Sequence, residues 1–517
     1  MRCRPASWFV GLCLLFPLTN AVVADEVTTA ELKSAIGTQL EDDVFALCVC
    51  DLPNCPACAA RKQEAECKPP GRKPPAKPSP CASSHGDPFY NNKFDYLTSP
   101  DYSGSCLGDS LKLLPIGDCG RFGTMDIGGQ FRSRFHHEYG MGETPGFTRF
   151  QGDTQNFLLS RFRLYNNWQM NDWARFYVEG IYAGVTADDS YVHRPIDVNF
   201  GDITNLFFDI SLTDRTTVRV GRQELLYGAQ RLVSTLDWAN TRRTFEGINV
   251  LHRTENWALD AFYTNFVPVR PNDLDRADYD ESFYGFYSVY SGFENLTIDT
   301  YYLGYDDERT GAPIVTHFSL HTLGVRLNGK ARNGWLYEVE GGPQFGEQMG
   351  LGLDHSAGFV TAGVGRKIKS VPWDATFWFY YDYASGNAPG GSFNRFNHLF
   401  PLAHKYLGFI DAVQRSNIQS PNFLFTFKPA PKVTCLFWLH HFFSDQYADP
   451  VPSVGRTPAQ SPDSRKFGDE IDLLLTYAVS PRTSVQVGYS HFFTGAKIVA
   501  PNVSDADFFY TQWQTNF

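Results

Sequence analysis

The sequence predicts an all-β chain folded as a transmembrane antiparallel β-barrel of about eighteen strands, and three observations carry that expectation. Aromatic residues make up 15% of the 517 residues, led by 43 Phe and 26 Tyr, yet mean hydropathy is negative at -0.30. Strands that alternate lipid-facing apolar with lumen-facing polar residues average to such a value. Beyond the first residues there is no run of about eighteen apolar residues, which argues against spanning helices. The chain ends on F-F-Y-T-Q-W-Q-T-N-F, Phe508 to Phe517. Counting in twos from Phe517 sets Thr515, Trp513, Thr511 and Phe509 on one face, with Asn516, Gln514, Gln512 and Tyr510 on the other. In water a terminal aromatic edge strand invites aggregation; in a closed barrel it is paired on both sides. A formal charge of -11, with no basic patch interleaved with aromatics, excludes a nucleic-acid partner.

At the amino terminus Arg2 and Arg4 precede an apolar run from Trp8 to Leu18, and Val22 and Ala24 supply the small residues a signal peptidase reads. Residues 1–24 are therefore expected to be a signal peptide cleaved after Ala24, which delivers the mature chain to an oxidising compartment. Val10, Gly11 and Leu12 before Cys13 do not fit a lipidation site. From Thr28 to Leu47 the stripe Leu32, Ile36, Leu40, Val44 and Leu47 predicts one short helix. Cys48, Cys50, Cys55, Cys58, Cys67 and Cys81 follow, with the run K-P-P-G-R-K-P-P-A-K-P-S-P, which is too rich in proline to pack. The spacing C-x-C-x4-C-x2-C is compatible with zinc and C-P-A-C with a redox pair, but no βαβ pattern surrounds them. Disulfides are the favoured reading, so residues 25–86 are expected to be a cysteine- and proline-rich periplasmic extension without metal or cofactor. Residues 87–120 read as a lead-in segment with Cys106 and Cys119 as a further pair. Cys435 reads as a lone buried or lipid-facing thiol.

From residue 121 to 517 one pattern repeats: about ten residues of period-two alternation, then a polar or glycine-rich turn. In the first copy Met125, Ile127, Gly129, Phe131, Phe135 and Tyr139 share a face, and Asp126, Gln130, Arg132, Arg134, His136 and Glu138 the other. Further strands are expected to begin near Phe157, Trp173, Leu206, Thr217, Arg243, Trp257, Phe283, Leu296, Thr316, Trp335, Ser356, Asp374, Asn417, Val433, Glu470, Thr483 and Phe508. At this size a barrel encloses an aqueous channel; sixteen strands is the alternative count. Short links at Asn171 to Asp172, Asp214 to Arg215, Asn256 and Ser480 to Arg482 fit periplasmic hairpins. Longer ones at 186–204, 270–282, 385–416 and 445–468 fit outer loops.

If the apolar face of each strand meets lipid, Arg132, Arg134, Arg161, Arg163, Arg175 and Arg219 point inward from the first five strands, diluted by Glu138, Glu179 and Asp209. Asp260, Asp299, Glu338, Glu340, Asp382, Glu470 and Asp472 point inward from later strands, with Arg326 as an exception. The expectation is a basic wall facing an acidic one, with a transverse field across the lumen. Guanidinium forks suit carboxylates, and a series of them passes an anion from site to site. Arg222 and Arg243 extend the candidate series, although alternation breaks at Gly221. Inward charges also pair with one another in barrels and then merely solvate the lumen.

The segment from Ser385 to Ser416 carries Gly386, Gly390 and Gly391 with Phe393, Phe396, Leu399 and Phe400, and is expected to fold into the barrel mouth as a lid. Asp273, Asp275, Asp278 and Asp280 share another loop, but their spacing lacks a calcium-binding geometry and reads as solvated charge. An enzyme is not indicated: period two sends His136 and His137, and likewise His440 and His441, to opposite faces, and there is no G-x-S-x-G.

Residues 217–231, T-V-R-V-G-R-Q-E-L-L-Y-G-A-Q-R, with R-R-T-F-E-G at 242–247 and L-F-P-L-A-H-K-Y-L-G-F-I-D at 399–411, resemble the alginate-export family of outer-membrane porins. The resemblance covers about residues 87–517 and leaves the cysteine-rich head unexplained. It implies an eighteen-stranded monomeric pore with a constricted, arginine-lined lumen that passes an anionic polysaccharide, gated by loops at both ends. The expected partners are outer-membrane lipid, the barrel-assembly machinery acting on the strand that ends at Phe517, and periplasmic polysaccharide-secretion proteins. The alternative is a general or substrate-specific diffusion porin for small solutes, and a further one a barrel that mainly anchors the cysteine-rich head.

Overall fold

The computed structural model describes residues 86–517 except 101, 103–105, 143–147, 189–190, 193, 311–316, 372, 454–456 and 500. Residues 1–24, expected to be a signal peptide, the cysteines from Cys48 to Cys81 and the side chain of Cys119 lie outside the described residues. Cys106 is disulfide-bonded. Cys435 is a free thiol that pairs across the ladder with exposed Leu475, on the outward face.

The sheet holds twenty strands; two are two-residue additions, and the other eighteen form the wall. Along the chain these are β1 (Thr124–Tyr139), β2 (Thr154–Gln169), β3 (Ala174–Ala187), β4 (Asn199–Thr213), β5 (Thr216–Gln223) and β6 (Thr244–Arg253). Next come β7 (Trp257–Val267), β8 (Glu281–Phe293), β9 (Leu296–Asp307), β10 (Phe318–Lys330), β11 (Trp335–Gln348) and β12 (Leu353–Lys367). The last are β13 (Thr376–Ala384), β14 (Ile418–Ala430), β15 (Val433–Phe443), β16 (Lys466–Ser480), β17 (Thr483–Thr494) and β18 (Ala506–Asn516). Each pairs antiparallel with its neighbour, and β18 pairs with β1 from Asn516↔Gln130 to Asp507↔Tyr139, so the sheet has no edge.

Most expected strand starts fall within three residues of the observed ones. The largest difference is at β4, which begins at Asn199 rather than near Leu206, because two register shifts against β3 interrupt the alternation there. Faces follow parity: Phe131, Phe135, Phe162, Leu164, Val220 and Trp513 are exposed on the outside, while Gln130, Arg132, Arg134 and His136 are buried within. Exposed Trp173, Trp257, Trp335 and Trp373 ring the end with short turns, and Phe200, Tyr263, Phe345 and Tyr489 stand toward the other. Such aromatic belts flanking an apolar band mark a lipid-facing wall.

Closure is completed by the last residue. Phe517 exchanges backbone hydrogen bonds with Gly129, both at 3.0 Å, and its ring stacks 6.3 Å from Phe162. A Cβ at residue 129 would come 2.9 Å from Phe517 Cζ, so glycine makes room for the ring. Removing Phe517 takes away interactions worth about 2 to 4 kcal/mol in sum. The expected result is a lower yield of folded barrel, measured as heat-modifiable mobility on electrophoresis.

The apolar core lies inside the barrel. Two long loops, residues 224–243 after β5 and 385–417 after β13, turn inward and meet. Phe400 N donates to Leu232 O at 2.8 Å, Ser234 N to Phe400 O at 2.9 Å, and Leu402 N to Gln230 O at 2.9 Å, so the loops run side by side across the lumen. Of the apolar residues expected to anchor the lid, Phe396, Leu399 and Phe400 are buried and Phe393 is half-buried, and Leu407 and Ile410 are buried beside them. Loop 224–243 buries Leu225, Leu232 and Val233 in the same core.

The lead-in segment approaches from the short-turn end. Lys112 donates to Ile127 O, and Asp109 accepts from Arg482 Nη2 at 2.8 Å and from the Tyr96 and Tyr102 hydroxyls. Burial works against ionisation of Asp109, but the hydrogen bonds from Tyr102 and Tyr96 and the Arg482 charge outweigh it and hold its carboxyl below the usual value. Further back along the chain, Phe89 and Tyr90 are buried inside the barrel against Tyr165, Tyr177 and Phe207.

Candidate permeation path

The strands set a basic wall, and the register makes it self-repelling: Arg132 stands directly opposite Arg161 on neighbouring strands. Like charges in that position are destabilising unless something is placed between them. Loop 224–243 supplies it. Arg132 donates to Asp237 O at 2.7 Å and Ala239 O at 2.5 Å, and Arg161 to Ala239 O at 3.0 Å and the Asp237 carboxylate at 2.7 Å. Arg134 donates to Trp238 O at 2.8 Å, and its guanidinium lies 3.7 Å from the Trp238 ring centroid. Trp238 in turn stacks on His404 of the other loop at 3.5 Å.

Below this layer, toward the short-turn end, Arg163 pairs with Glu179 at 2.6 Å and with Asp87 at 2.9 Å. Arg175 and Arg219 both pair with Asp209. Arg242, from the loop, bridges Glu224, Asp237 and Asp87, each at 2.5 Å. Arg161, Arg163, Arg175 and Arg219 therefore face inward as parity expects, each on a carboxylate. Arg132 and Arg134 have no carboxylate within ion-pair distance among the described residues, and Arg132 Nε with Arg134 Nε and Nη1 lack any hydrogen-bond acceptor.

Two candidates need correction. Arg222 pairs across the ladder with Leu206 on the lipid-facing side and reaches Asp202, Glu246 and Asp275 O outside the barrel. Gly221, with φ of 128°, does not reset the alternation: Arg219 and Gln223 point in, Arg222 out. Arg243 is on the lumen side but holds the two loops together, donating to Pro401 O at 2.9 Å and Ser234 Oγ at 3.3 Å.

Asp260, Asp299, Glu338, Glu340, Asp382, Glu470 and Asp472 are all buried on inner faces, so the acidic wall lies where parity puts it. The inward loops again bring the opposite sign. Arg231 bonds Glu338 and Glu340, both at 2.9 Å, and Arg415 bonds Asp382 at 2.6 Å. Arg326 lies between Asp299 and Glu338, and Arg253 pairs with Asp260. Glu470 and Asp472 instead accept from backbone: Ile410 N at 2.8 Å and Phe409 N at 3.3 Å. Gly408, at φ of 85°, permits that approach, since a Cβ there would collide with the Glu470 carboxylate. Counter-charges on both loops weaken the transverse field expected from the strands alone.

His136 is buried and bonds Glu138 at 2.8 Å while His137 is half-buried on the opposite face, and His440 is buried while His441 faces out, so neither pair converges. In the aspartate loop, Asp273 pairs with Arg276 and Asp275 accepts from Asn199 at 2.8 Å. Arg231, Arg242, Arg415 and Asp237 were not singled out from sequence, because loops lack the alternation that assigns a face. For Arg231, Asp237 and Arg242 the signal is a charged, strand-poor stretch of twenty residues between β5 and β6; Arg415 lies in the loop after β13.

Open volume remains on either side of the paired loops. A cavity of about 590 Å³ at the short-turn end is lined by Tyr90, Asn92, Arg175, Asp209 and Arg219. One of about 540 Å³ lies between the acidic wall and Arg231, Lys405, Tyr406 and Trp438. One of about 390 Å³ at the outer mouth is lined by Arg309, Phe396, His398 and Gln414.

A sheet closed within one chain, apolar and aromatic outside, charged inside and crossed by loops, defines a channel-forming membrane barrel. The chain belongs to the alginate export family, whose model matches residues 124–510, and it resides in the bacterial outer membrane. Among solved structures it is similar to Pseudomonas aeruginosa OccK8 (OprE), with 13% identity and a TM-score of 0.53 over 76% of this chain and 98% of that one. It is also similar to Acinetobacter baumannii OccAB2, with 11% identity and a TM-score of 0.54 over 76% and 98%. Pseudomonas aeruginosa OpdK with vanillate gives 12% identity and a TM-score of 0.53 over the same shares. At these identities the likeness is one of fold. No curated protein matches the chain.

Proposed function

We propose that this outer-membrane channel passes anionic polysaccharide of the polyuronate type, or related carboxylate-bearing solutes, with Arg132 and Arg134 as the groups that attract the anion. The supporting observation is the state of those two guanidiniums: buried, facing the lumen, without a carboxylate partner among the described residues and with N–H groups left over. A carboxylate arriving between the loops satisfies both the charge and the donors. Family membership points the same way. In this reading the chain acts as a monomer in outer-membrane lipid. Its final strand is presented to the barrel-assembly machinery, and residues 25–86 remain in the periplasm, where secretion proteins deliver polymer.

A second reading, a diffusion porin for small solutes, is favoured by the two loops that cross the lumen and by cavities of about 390 to 590 Å³. Reversal potential in a salt gradient, with and without polyuronate, separates the two. Anion selectivity with reversible block by polyuronate is the expected result. Selectivity for anions with block by a monouronate but not by the polymer supports a substrate-specific small-solute porin, and weak selectivity without block overturns the polyuronate reading in favour of a general diffusion porin.

A further inference from the structure

The basic half of the lumen is filled by the chain's own lead-in segment. Asp87 places one carboxylate oxygen on each of two guanidiniums, Oδ1 on Arg163 Nη1 at 2.9 Å and Oδ2 on Arg242 Nη2 at 2.5 Å. The following residues sit against the other arginines of the wall. Phe89 lies under the Arg163 guanidinium at 4.2 Å and Tyr90 under that of Arg219 at 4.4 Å; Arg175 Nη1 donates to Tyr90 O at 2.7 Å. Tyr90 also donates its hydroxyl proton to Glu224 O at 2.8 Å, which ties the segment to loop 224–243.

The attachment differs in kind from that of the inward loops. Those loops run hydrogen-bonded backbone to backbone. In the segment, Asn91 N donates to Pro88 O at 3.2 Å and Asn92 N to Phe89 O at 3.0 Å, so these bonds close within it. Its hold on the wall described above is made by its own side chains on Arg163, Arg242 and Arg219 and by one hydrogen bond from Arg175 to its backbone, interactions that a solute with a carboxylate and a flat face also makes. The cavity of about 590 Å³ borders Tyr90, Asn91 and Asn92 and gives such a solute a place to arrive from the short-turn end.

Charge argues for the same exchange. Arg161, Arg163 and Arg242 pair with Glu179, Glu224, Asp237 and Asp87. Arg132, opposite Arg161, and Arg134 add two guanidiniums with no ion-pair partner among the described residues, so five positive charges stand against four negative ones. Of these carboxylates, Glu179 is on β3 and Glu224 and Asp237 belong to β5's following loop; Asp87 alone comes from the lead-in. Withdrawing it leaves three carboxylates against the five guanidiniums. Arg163 keeps Glu179, Arg242 keeps Glu224 and Asp237, and each has an N–H freed for an incoming carboxylate, so the uncompensated buried positive charge favours an anion in the place of Asp87.

We propose that Arg163 and Arg242 form a carboxylate-binding site, that Asp87 is its built-in occupant, and that a solute uronate displaces the segment Asp87–Asn92 to open the lumen. This rests on the anion-conduit reading and deepens it: access from the periplasmic side is gated by competition between Asp87 and the solute. Transfer is non-covalent; one carboxylate replaces another.

The test uses the full refolded chain in planar bilayers, with sodium galacturonate as probe. Asp87→Asn keeps the side-chain shape and removes the charge. It is expected to raise conductance several-fold and to lower the half-blocking galacturonate concentration about tenfold, while Asp87→Glu restores wild-type behaviour. Adding Arg163→Gln to Asp87→Asn is expected to abolish the gain in affinity. A second measurement needs no variant: galacturonate at blocking concentration is expected to expose the segment around Phe89 and Tyr90 to protease in the unaltered protein. Unchanged conductance and affinity in Asp87→Asn, or a segment that stays protected under block, overturns the proposal. A wild-type channel that is anion-selective and blocked by polyuronate, combined with an inert Asp87→Asn, overturns the gate and leaves the conduit reading standing. A responsive Asp87→Asn in a channel that polyuronate does not block supports the site and removes the polymer reading.

Discussion

Replacing Arg132 and Arg134 together by glutamine is expected to lower the anion-over-cation permeability ratio at least about tenfold. Two unit charges at 4 Å interact by about 1 kcal/mol in water and about 4 kcal/mol at an effective dielectric near 20, and about 1.4 kcal/mol is a factor of ten. A narrow lumen bounded by packed loops lies between those limits. The other inward arginines contribute less because Asp237, Glu179, Asp209 and Asp87 already stand against them. Glutamine retains an N–H to hold Asp237 O or Trp238 O, so loop 224–243 keeps its place and the change in selectivity reports charge rather than collapse. The ratio is read from reversal potentials at low salt, where screening is weakest. An unchanged ratio would remove both guanidiniums from the conduction path.

Shortening the loop 385–417 by excising residues 390–412 and joining the ends with glycine and serine is expected to raise single-channel conductance several-fold. The ladder between β13 and β14 runs directly from Ala384↔Ile418 to Thr376↔Thr426, so closure of the wall does not depend on the loop. What the loop does is fill the lumen. Phe400 packs within 5.0 Å of Phe245, Phe283 and Tyr305 by ring centroids, and Phe396 lies 4.9 Å from Phe359. Burial of each such side chain is worth about 1.5 to 3 kcal/mol, so the loop stays docked rather than flapping open. Phe400→Ala, which costs about 3 to 5 kcal/mol of docking, is expected to give a milder form of the same change, seen as frequent transitions to a larger conductance. Unaltered conductance in both variants would show that the path runs elsewhere.

Particular residues show where sequence reasoning succeeds and where it stops. Trp257, Leu296, Trp335, Val433 and Thr483 begin strands both by the alternation of the sequence and in the fold. Arg132, Arg134, Arg161, Arg163 and Arg219 were read as inward and are inward. Both results follow from one rule, that successive side chains on a strand point to opposite sides. Arg222 points out of the barrel because the alternation runs straight through Gly221. Arg231, Arg242 and Arg415 escaped notice because an irregular loop has no period from which to infer a face. Asp87 escaped for a stronger reason: nothing in a segment of mixed composition says that it lies against Arg163, 76 residues away in the chain.

Legible in the sequence are the barrel, a strand count of about eighteen that the fold fixes against sixteen, the lipid and lumen faces and the sign of charge that each half of the wall carries. These depend on local alternation and on the requirement that every backbone group be paired within lipid. Only the tertiary structure decided which of those charges remain unpaired. Asp237, Glu224, Arg231, Arg415 and Asp87 reach the wall from inward loops and the lead-in segment, and ion pairing at such separations depends on where the chain returns in space rather than on what stands beside it in sequence.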